Sequence, residues 1–241
     1  VTAVTQDTLL GGRVRHAQPA SGFRSGIEPV LLAAAIPARP GEAVLEAGSG
    51  AGAGLLCLAG RVAGIVGLGI ERDAALVAIA TANAAANGFD GLRFRAGDVL
   101  AGPIGGGFHH AFANPPYHPD SGTASPDARR RAAKGAAPGL LAAWCGALAA
   151  AVRPRGTLTL ILPAGRFAEA TAGLRAAGCG GLTLFPLWPR AGVPAKLILL
   201  AGRRDSRAPD RVATGLVLHA ADGGFTAAAA AILRDGAALT L

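Results

Sequence analysis

From residue 43 onward the chain alternates short apolar runs with longer alanine-rich stretches, the pattern of parallel strands covered by helices. Strands are expected at Ala43–Ala47, Ile65–Glu71, Leu92–Ala96, His109–Ala113 and Thr157–Leu162, and two more at Leu182–Leu187 and Lys196–Ala201. Helices are expected at Gly52–Val62, Asp73–Asn87, Pro138–Val152 and Arg166–Ala177. The second ends on Gly88 and the fourth on Gly178, since glycine takes the backbone conformation that closes a helix. The pattern predicts one α/β domain whose mostly parallel, seven-stranded sheet has helices on both faces.

The two ends depart from this rhythm. Gly11-Gly12 separates two short β-like runs, Gly22–Gly26 reads as a loop, and Val30–Ile36 is apolar. Residues 1–40 are thus expected to form a flank or lid on a domain of residues 41–241. In the tail, Leu216–His219 reads as a strand, Asp222-Gly223-Gly224 as a turn, and Thr226 as the N-cap of a last helix.

Composition narrows the class. Of the 241 residues 51% are hydrophobic and 16% charged, which excludes a disordered chain and supports one large core. No apolar run reaches the roughly 18 residues a membrane span needs: Arg61 breaks Leu55–Ile70, and Leu140–Val152 stops at Arg153-Pro154-Arg155. Val1–Leu10 has neither a basic start nor an apolar h-region, so the expectation is a cytoplasmic protein without membrane association. Cys57, Cys145 and Cys179 are widely spaced and form no CxxC pair, the usage of reduced, buried thiols, and no metal site is expected. The net charge of +8 suits a polyanionic partner such as RNA.

The first chemical signal follows the first strand of the alternation. Glu46-Ala47-Gly48-Ser49-Gly50-Ala51-Gly52 is a glycine-rich turn into a helix, where the backbone can approach a ligand and the helix start offers unpaired N–H groups. Glu71 ends the second strand, where open α/β folds place a carboxylate on ribose hydroxyls, and Asp98 follows the third. The loop is neither GxGxxG nor a P-loop. An acid immediately before its glycines repels a pyrophosphate and attracts an amine, so the expected ligand carries a ribose and an ammonium.

At the end of the fourth strand stands Asn114-Pro115-Pro116-Tyr117. An exocyclic amino group on adenine is a poor nucleophile because its lone pair is delocalised into the ring. Two acceptors, the Asn114 side-chain carbonyl and the Pro115 backbone carbonyl, can take both amino hydrogens and turn the lone pair toward a methyl donor. The prolines fix the backbone that aims these acceptors, and Tyr117 offers a face for stacking an extruded base. Rate would then come from alignment and electrostatics.

The order of loop, Glu71, Asp98 and tetrad resembles the class I S-adenosylmethionine-dependent methyltransferases, in the branch that methylates planar amino or amide nitrogens. Gly26-Ile27-Glu28-Pro29-Val30-Leu31-Leu32, together with Leu216-Val217-Leu218-His219 and Asp222-Gly223-Gly224-Phe225-Thr226, look like the flanking motifs of the bacterial tRNA(Val) adenine-N6 methyltransferase family. The resemblance implies S-adenosylmethionine as cofactor. Its methionine part would be held by the loop from Glu46, Ala47, Gly48, Ser49 and Gly50 to Gly52, its ribose by Glu71 with Arg72 beside it, and its adenine by Asp98 and Val99. Asn114 would contact both donor and target, and Gly26 and Glu28, from the motif before the first strand, would also contact the donor. The family often has aspartate where this chain has Glu46 and Glu28, and Gly-Cys-Gly or Gly-Ala-Gly where it has Gly48-Ser49-Gly50. The expected reaction is methylation of adenine N6 in RNA, above all tRNA. Guanine-N2 methylation of ribosomal RNA, N5-glutamine methylation of a release factor and a non-catalytic RNA-binding scaffold stay open as alternatives.

Arg129-Arg130-Arg131 and Lys134 lie past the tetrad in a Gly/Ser/Pro-rich loop, Ser121–Gly135, placed to hold RNA phosphates. A second basic cluster, Arg203, Arg204, Arg207 and Arg211, and a third, Arg13, Arg15, His16 and Arg24, are weaker candidates. Trp144 and Trp188 read as packing residues.

Overall fold

In the N-terminal flank the two β-like runs form an antiparallel hairpin, β1 (Val4–Leu9) and β2 (Val14–Pro19), followed by the helix α1 (Glu28–Ala34). The computed structural model describes residues 3–21, 24–116 and 139–241. The alternating region then gives β3 (Ala43–Ala47), α2 (Ala53–Arg61), β4 (Val66–Glu71), α3 (Ala74–Ala86), β5 (Leu92–Ala96) and β6 (Phe108–Ala113). After the undescribed stretch come α4 (Leu140–Ala151), β7 (Val152–Pro163), α5 (Phe167–Ala176), β8 (Cys179–Trp188) and β9 (Leu197–Arg204). Two short strands, β10 (Arg211–Val212) and β11 (Leu216–Val217), and α6 (Ala227–Asp235) complete the chain.

One sheet runs in the order β10-β8-β9-β7-β6-β3-β4-β5, with β11 also paired to β8, and all neighbours are parallel except β9, which is antiparallel to both β7 and β8. The sheet therefore has nine strands, two more than the seven expected. The additions lie on the outer edge of β8: β10, whose two residues are too short to leave a period-two signal in the sequence, and β11, the expected tail strand, which joins the main sheet. The tail strand stops at Val217, and His219 instead bridges to Phe225 across the turn. β7 starts at Val152, earlier than expected, because the chain already pairs with Phe108 there before a register shift.

Both faces of the sheet are covered, and successive strand residues serve opposite cores. Val44, Phe112 and Leu199 point into one core with α1, α2 and α6, whereas Leu45, Ala111, Ile198 and Leu200 point into the other with α4 and α5. This double burial is why the strands read as nearly continuous apolar runs. The hairpin docks on α3 through two asparagines acting as backbone mimics. Asn83 accepts from the Ala17 N–H at 2.8 Å and donates to the Ala17 carbonyl at 2.9 Å, and Asn87 does the same for Arg15 at 2.8 and 2.8 Å. Asn83 also donates to the Ala51 carbonyl at 3.0 Å, which ties the hairpin to the glycine loop.

The strand order reverses between β3 and β6. Connections from β3 run outward through β4 to β5, while those from β6 run the other way to β7, which opens a crevice above the carboxyl ends of β3 and β6.

Candidate functional site

Strand register brings the predicted residues to this crevice. Ala47 pairs with Ile70 on one side and with Ala113 on the other, so Gly48, Glu71 and Asn114 leave the sheet at one level on three adjacent strands. Glu71 in turn pairs with Ala96, two residues before Asp98. With neighbouring strands about 4.8 Å apart, Asn114 and Glu71 face each other across about 10 Å, with Gly48 between them.

The glycine loop is held by Glu71. Its Oε2 accepts from the Gly50 N–H and its Oε1 from the Asp73 N–H, each at 3.0 Å, and the Gly48 and Ser49 N–H groups bond the Ile70 carbonyl at 2.8 and 3.1 Å. An ionised carboxylate has about four acceptor sites. Two remain on Glu71 for a vicinal diol, and the half-buried side chain can present them. Gly48 has a positive φ of 69°, and a Cβ there would stand 3.0 Å from the Trp144 ring of α4. Glycine thus lets the loop lie flat on an indole, and the backbone opposite the indole remains exposed to a ligand.

Glu46 is not the solvated strand-end carboxylate that its place in the sequence permits. It is 6% exposed, and its Oε2 accepts from the Leu55 N–H of α2 at 2.9 Å. The carboxyl fills the place a Cβ on Gly54 would need, 2.2 Å from Oε1, with Phe112 behind it. Burial pushes this carboxyl up to about 8; the Leu55 N–H pulls against the rise and the charge of Glu71 adds to it. Ala47 is buried beside it, as is Ser49, whose hydroxyl has no partner among the described residues.

Asp98 is exposed and its Oδ1 accepts from the Leu100 N–H at 2.9 Å in a turn, while Val99 is buried and Arg72 exposed. Gly26 and Glu28 touch one another at the start of α1, where the Glu28 carboxylate covers the Cα of Gly26. No hydrogen bond among the described residues links them to the glycine loop.

Of the tetrad, Asn114 is half-buried, Pro115 buried and Pro116 half-buried, and among the described residues the Asn114 carboxamide has no hydrogen-bond partner. Tyr117 lies outside the described residues, as do Arg129, Arg130, Arg131 and Lys134. In each of the two other basic clusters some members have structural work, while Arg203 and Arg207 are exposed. Arg204 donates to the Ala149 carbonyl at 3.0 Å and to Val152, closing α4, and Arg211 bonds the Thr183 hydroxyl at 3.1 Å. Arg24 pairs with Asp7 at 2.7 Å and Arg13 bonds the Arg234 carbonyl at 3.1 Å. His16 is fully buried, and its ring nitrogens have no partner among the described residues. Trp144 is the site residue missed at the sequence level; its contact with Gly48 crosses about a hundred residues of chain and leaves no local signal.

Among the described residues no group of His, Cys, Asp or Glu is arranged to hold a metal ion, and no helix is long and apolar enough to cross a membrane.

Residues 27–142 match the family model of the methyltransferase small domain. No curated protein matches the chain in sequence. Among solved structures, a predicted O-methyltransferase from Agrobacterium tumefaciens superposes with a TM-score of 0.74 at 23% identity, covering 89% of this chain and 99% of that one. A 16S rRNA N2-guanosine methyltransferase from T. thermophilus, solved with AdoMet and guanosine, gives 0.58 at 22% identity over 86% of this chain and 46% of that one. A SAM-dependent O-methyltransferase from Thermotoga maritima gives 0.57 at 14% identity over 79% and 69%. The chain therefore has the Rossmann-like fold of the class I methyltransferases, and the stretch matching the methyltransferase small domain carries the glycine loop, Glu71, Asp98 and Asn114.

Proposed function

We propose that the chain is an S-adenosylmethionine-dependent N-methyltransferase acting on adenine N6 in RNA, with tRNA as the expected substrate. The observation that carries this reading is the alignment of Gly48, Glu71 and the Asn114 carboxamide, which has no partner among the described residues, on three adjacent strand ends. When bound, the donor supplies a methyl group on a positively charged sulfur. The residues present fit such a group: the free acceptor sites of Glu71 suit its ribose diol, the exposed backbone of Gly48 its amino-acid portion, and Asp98 and Val99 its adenine edge and face.

The protein's own part is to orient the target nitrogen. Asn114 Oδ1 and the Pro115 carbonyl would accept the two amino hydrogens, which holds the nitrogen lone pair toward the methyl carbon. Pro115 and Pro116 restrict the backbone that carries these oxygens, and Tyr117 would stack on the base. The nitrogen needs no side-chain base, because its proton becomes acidic once the methyl bond forms and passes to water. Arg129, Arg130, Arg131 and Lys134 would hold flanking phosphates. Guanine N2 is a second reading, favoured by the shared fold of the guanosine-bound T. thermophilus enzyme.

Transfer of tritiated methyl groups to bulk tRNA, followed by nucleoside digestion, tests the proposal. Label in N6-methyladenosine is expected. Label in N2-methylguanosine would select the second reading, label in protein would select glutamine, and absence of both transfer and donor binding would overturn methyl transfer altogether.

A further inference from the structure

We infer that the loop joining β8 to β9, residues 189–196, is a phosphate-contacting arm of the RNA-binding surface, acting through Arg190 and Lys196; this rests on the RNA reading above. The loop stands at the same edge of the sheet as the site. Pro163 at the carboxyl end of β7 pairs with Leu197, and the Ala164 N–H bonds the Lys196 carbonyl at 2.9 Å. Ala113 pairs with Leu160 on the other side of β7. Lys196 is therefore two strand spacings across from Asn114 and about three residues above it, a Cα separation of about 14 Å on β geometry. A lysine side chain at that remove reaches the backbone of nucleotides next to the target and cannot reach the target base itself.

The loop's chemistry fits a polyanion. Arg190 and Lys196 are exposed, and neither side chain has a hydrogen bond or ion pair among the described residues. By contrast Arg166, at the same edge, pairs with Glu169 at 2.7 Å. Residues 186–200 contain no acid to neutralise the two cations. Between them Val193 is 39% exposed, an apolar contact for a sugar or base edge, and Pro189 and Pro194 limit the loop's freedom. The tail braces it: the Leu218 N–H bonds the Trp188 carbonyl at 2.8 Å and the His219 N–H bonds Pro189 at 3.0 Å, while His219 stacks on Phe225 with centroids 4.9 Å apart. The tail motif thereby acquires the role of holding this arm.

Contacts to phosphate displace counterions, and each contributes about 0.7–0.9 to the slope of log affinity against log salt. The R190A/K196A double variant is expected to lower the steepness of that slope for bulk tRNA by about 1.4–1.8 and to weaken binding about 25- to 60-fold at 0.1 M salt. Donor affinity by calorimetry should stay at the wild-type value. R203A/R207A, on the opposite edge of the sheet, is the control for loss of charge alone and should leave the slope in place. If wild type methylates RNA while the loop variant keeps the wild-type slope, or both double variants lower it equally, the arm is overturned. If wild type neither binds nor methylates RNA, the functional reading falls and the arm falls with it.

Discussion

Glu46→Gln isolates the electrostatic cost built into the start of α2. The Glu46 carboxyl is sealed beneath the Leu55 N–H with its pKa pushed up from 4.5 to about 8. A carboxyl raised in this way binds a proton in the folded chain that the unfolded chain releases. Its contribution to stability is complete below pH 4.5 and is lost as pH rises through about 8. The whole displacement corresponds to about 5 kcal/mol at 1.36 kcal/mol per pH unit. Glutamine has the same shape, keeps an oxygen for the Leu55 N–H, and does not titrate. The stability difference between variant and wild type should therefore widen in favour of the variant by about 3 kcal/mol between pH 5.5 and 8.5. For a domain of this size that is a relative gain of about 6–12 °C in Tm, readable by thermal or urea denaturation across the pH series. Parallel pH–stability curves for the two proteins would refute the burial argument.

Other consequences are more local. Gly54→Ala should cost about 1–3 kcal/mol, because the new methyl group would stand 2.2 Å from Glu46 Oε1 and 2.9 Å from the Phe112 ring; urea denaturation checks it, and a neutral result would place the carboxyl elsewhere. Donor binding should change the intrinsic fluorescence through Trp144, which lies against Gly48, so Trp144→Phe should abolish the change and Trp188→Phe should retain it. His16→Leu should raise stability by about 1 kcal/mol in denaturant titration, since both ring nitrogens are buried without a partner among the described residues; a loss of that size would reveal one.

Much of the fold was legible because both faces of the sheet are buried. Val44 and Leu45 serve different cores yet both must be apolar, so each strand announced itself as a run. The site was legible because backbone requirements write themselves into glycine and proline: the Gly48–Gly52 turn and the Asn114-Pro115-Pro116 step each stand where a strand ends. What the sequence did not disclose depends on partners distant along the chain. Glu46 read as an acid facing a ligand's amine, and nothing beside it announced the seal made by Leu55, Gly54 and Phe112; Asn83 and Asn87 carried no mark of the strand they hold, some seventy positions earlier. The sequence did not single out Arg190 and Lys196, which lie apart along the chain; the structure brings them to one loop beside the crevice without a partner among the described residues, whereas Arg204 and Arg211 of a sequence cluster are engaged in bonds.

Orientation of the target amino group depends on the carbonyl groups at the end of β6. Single-turnover methyl transfer by Asn114→Ala, measured beside a donor titration of the same protein, addresses them most directly. Losing one such preorganised contact is expected to slow transfer about 100- to 1,000-fold with donor affinity within about twofold of wild type. Transfer at the wild-type rate would show that the amino group is oriented by some other part of the protein.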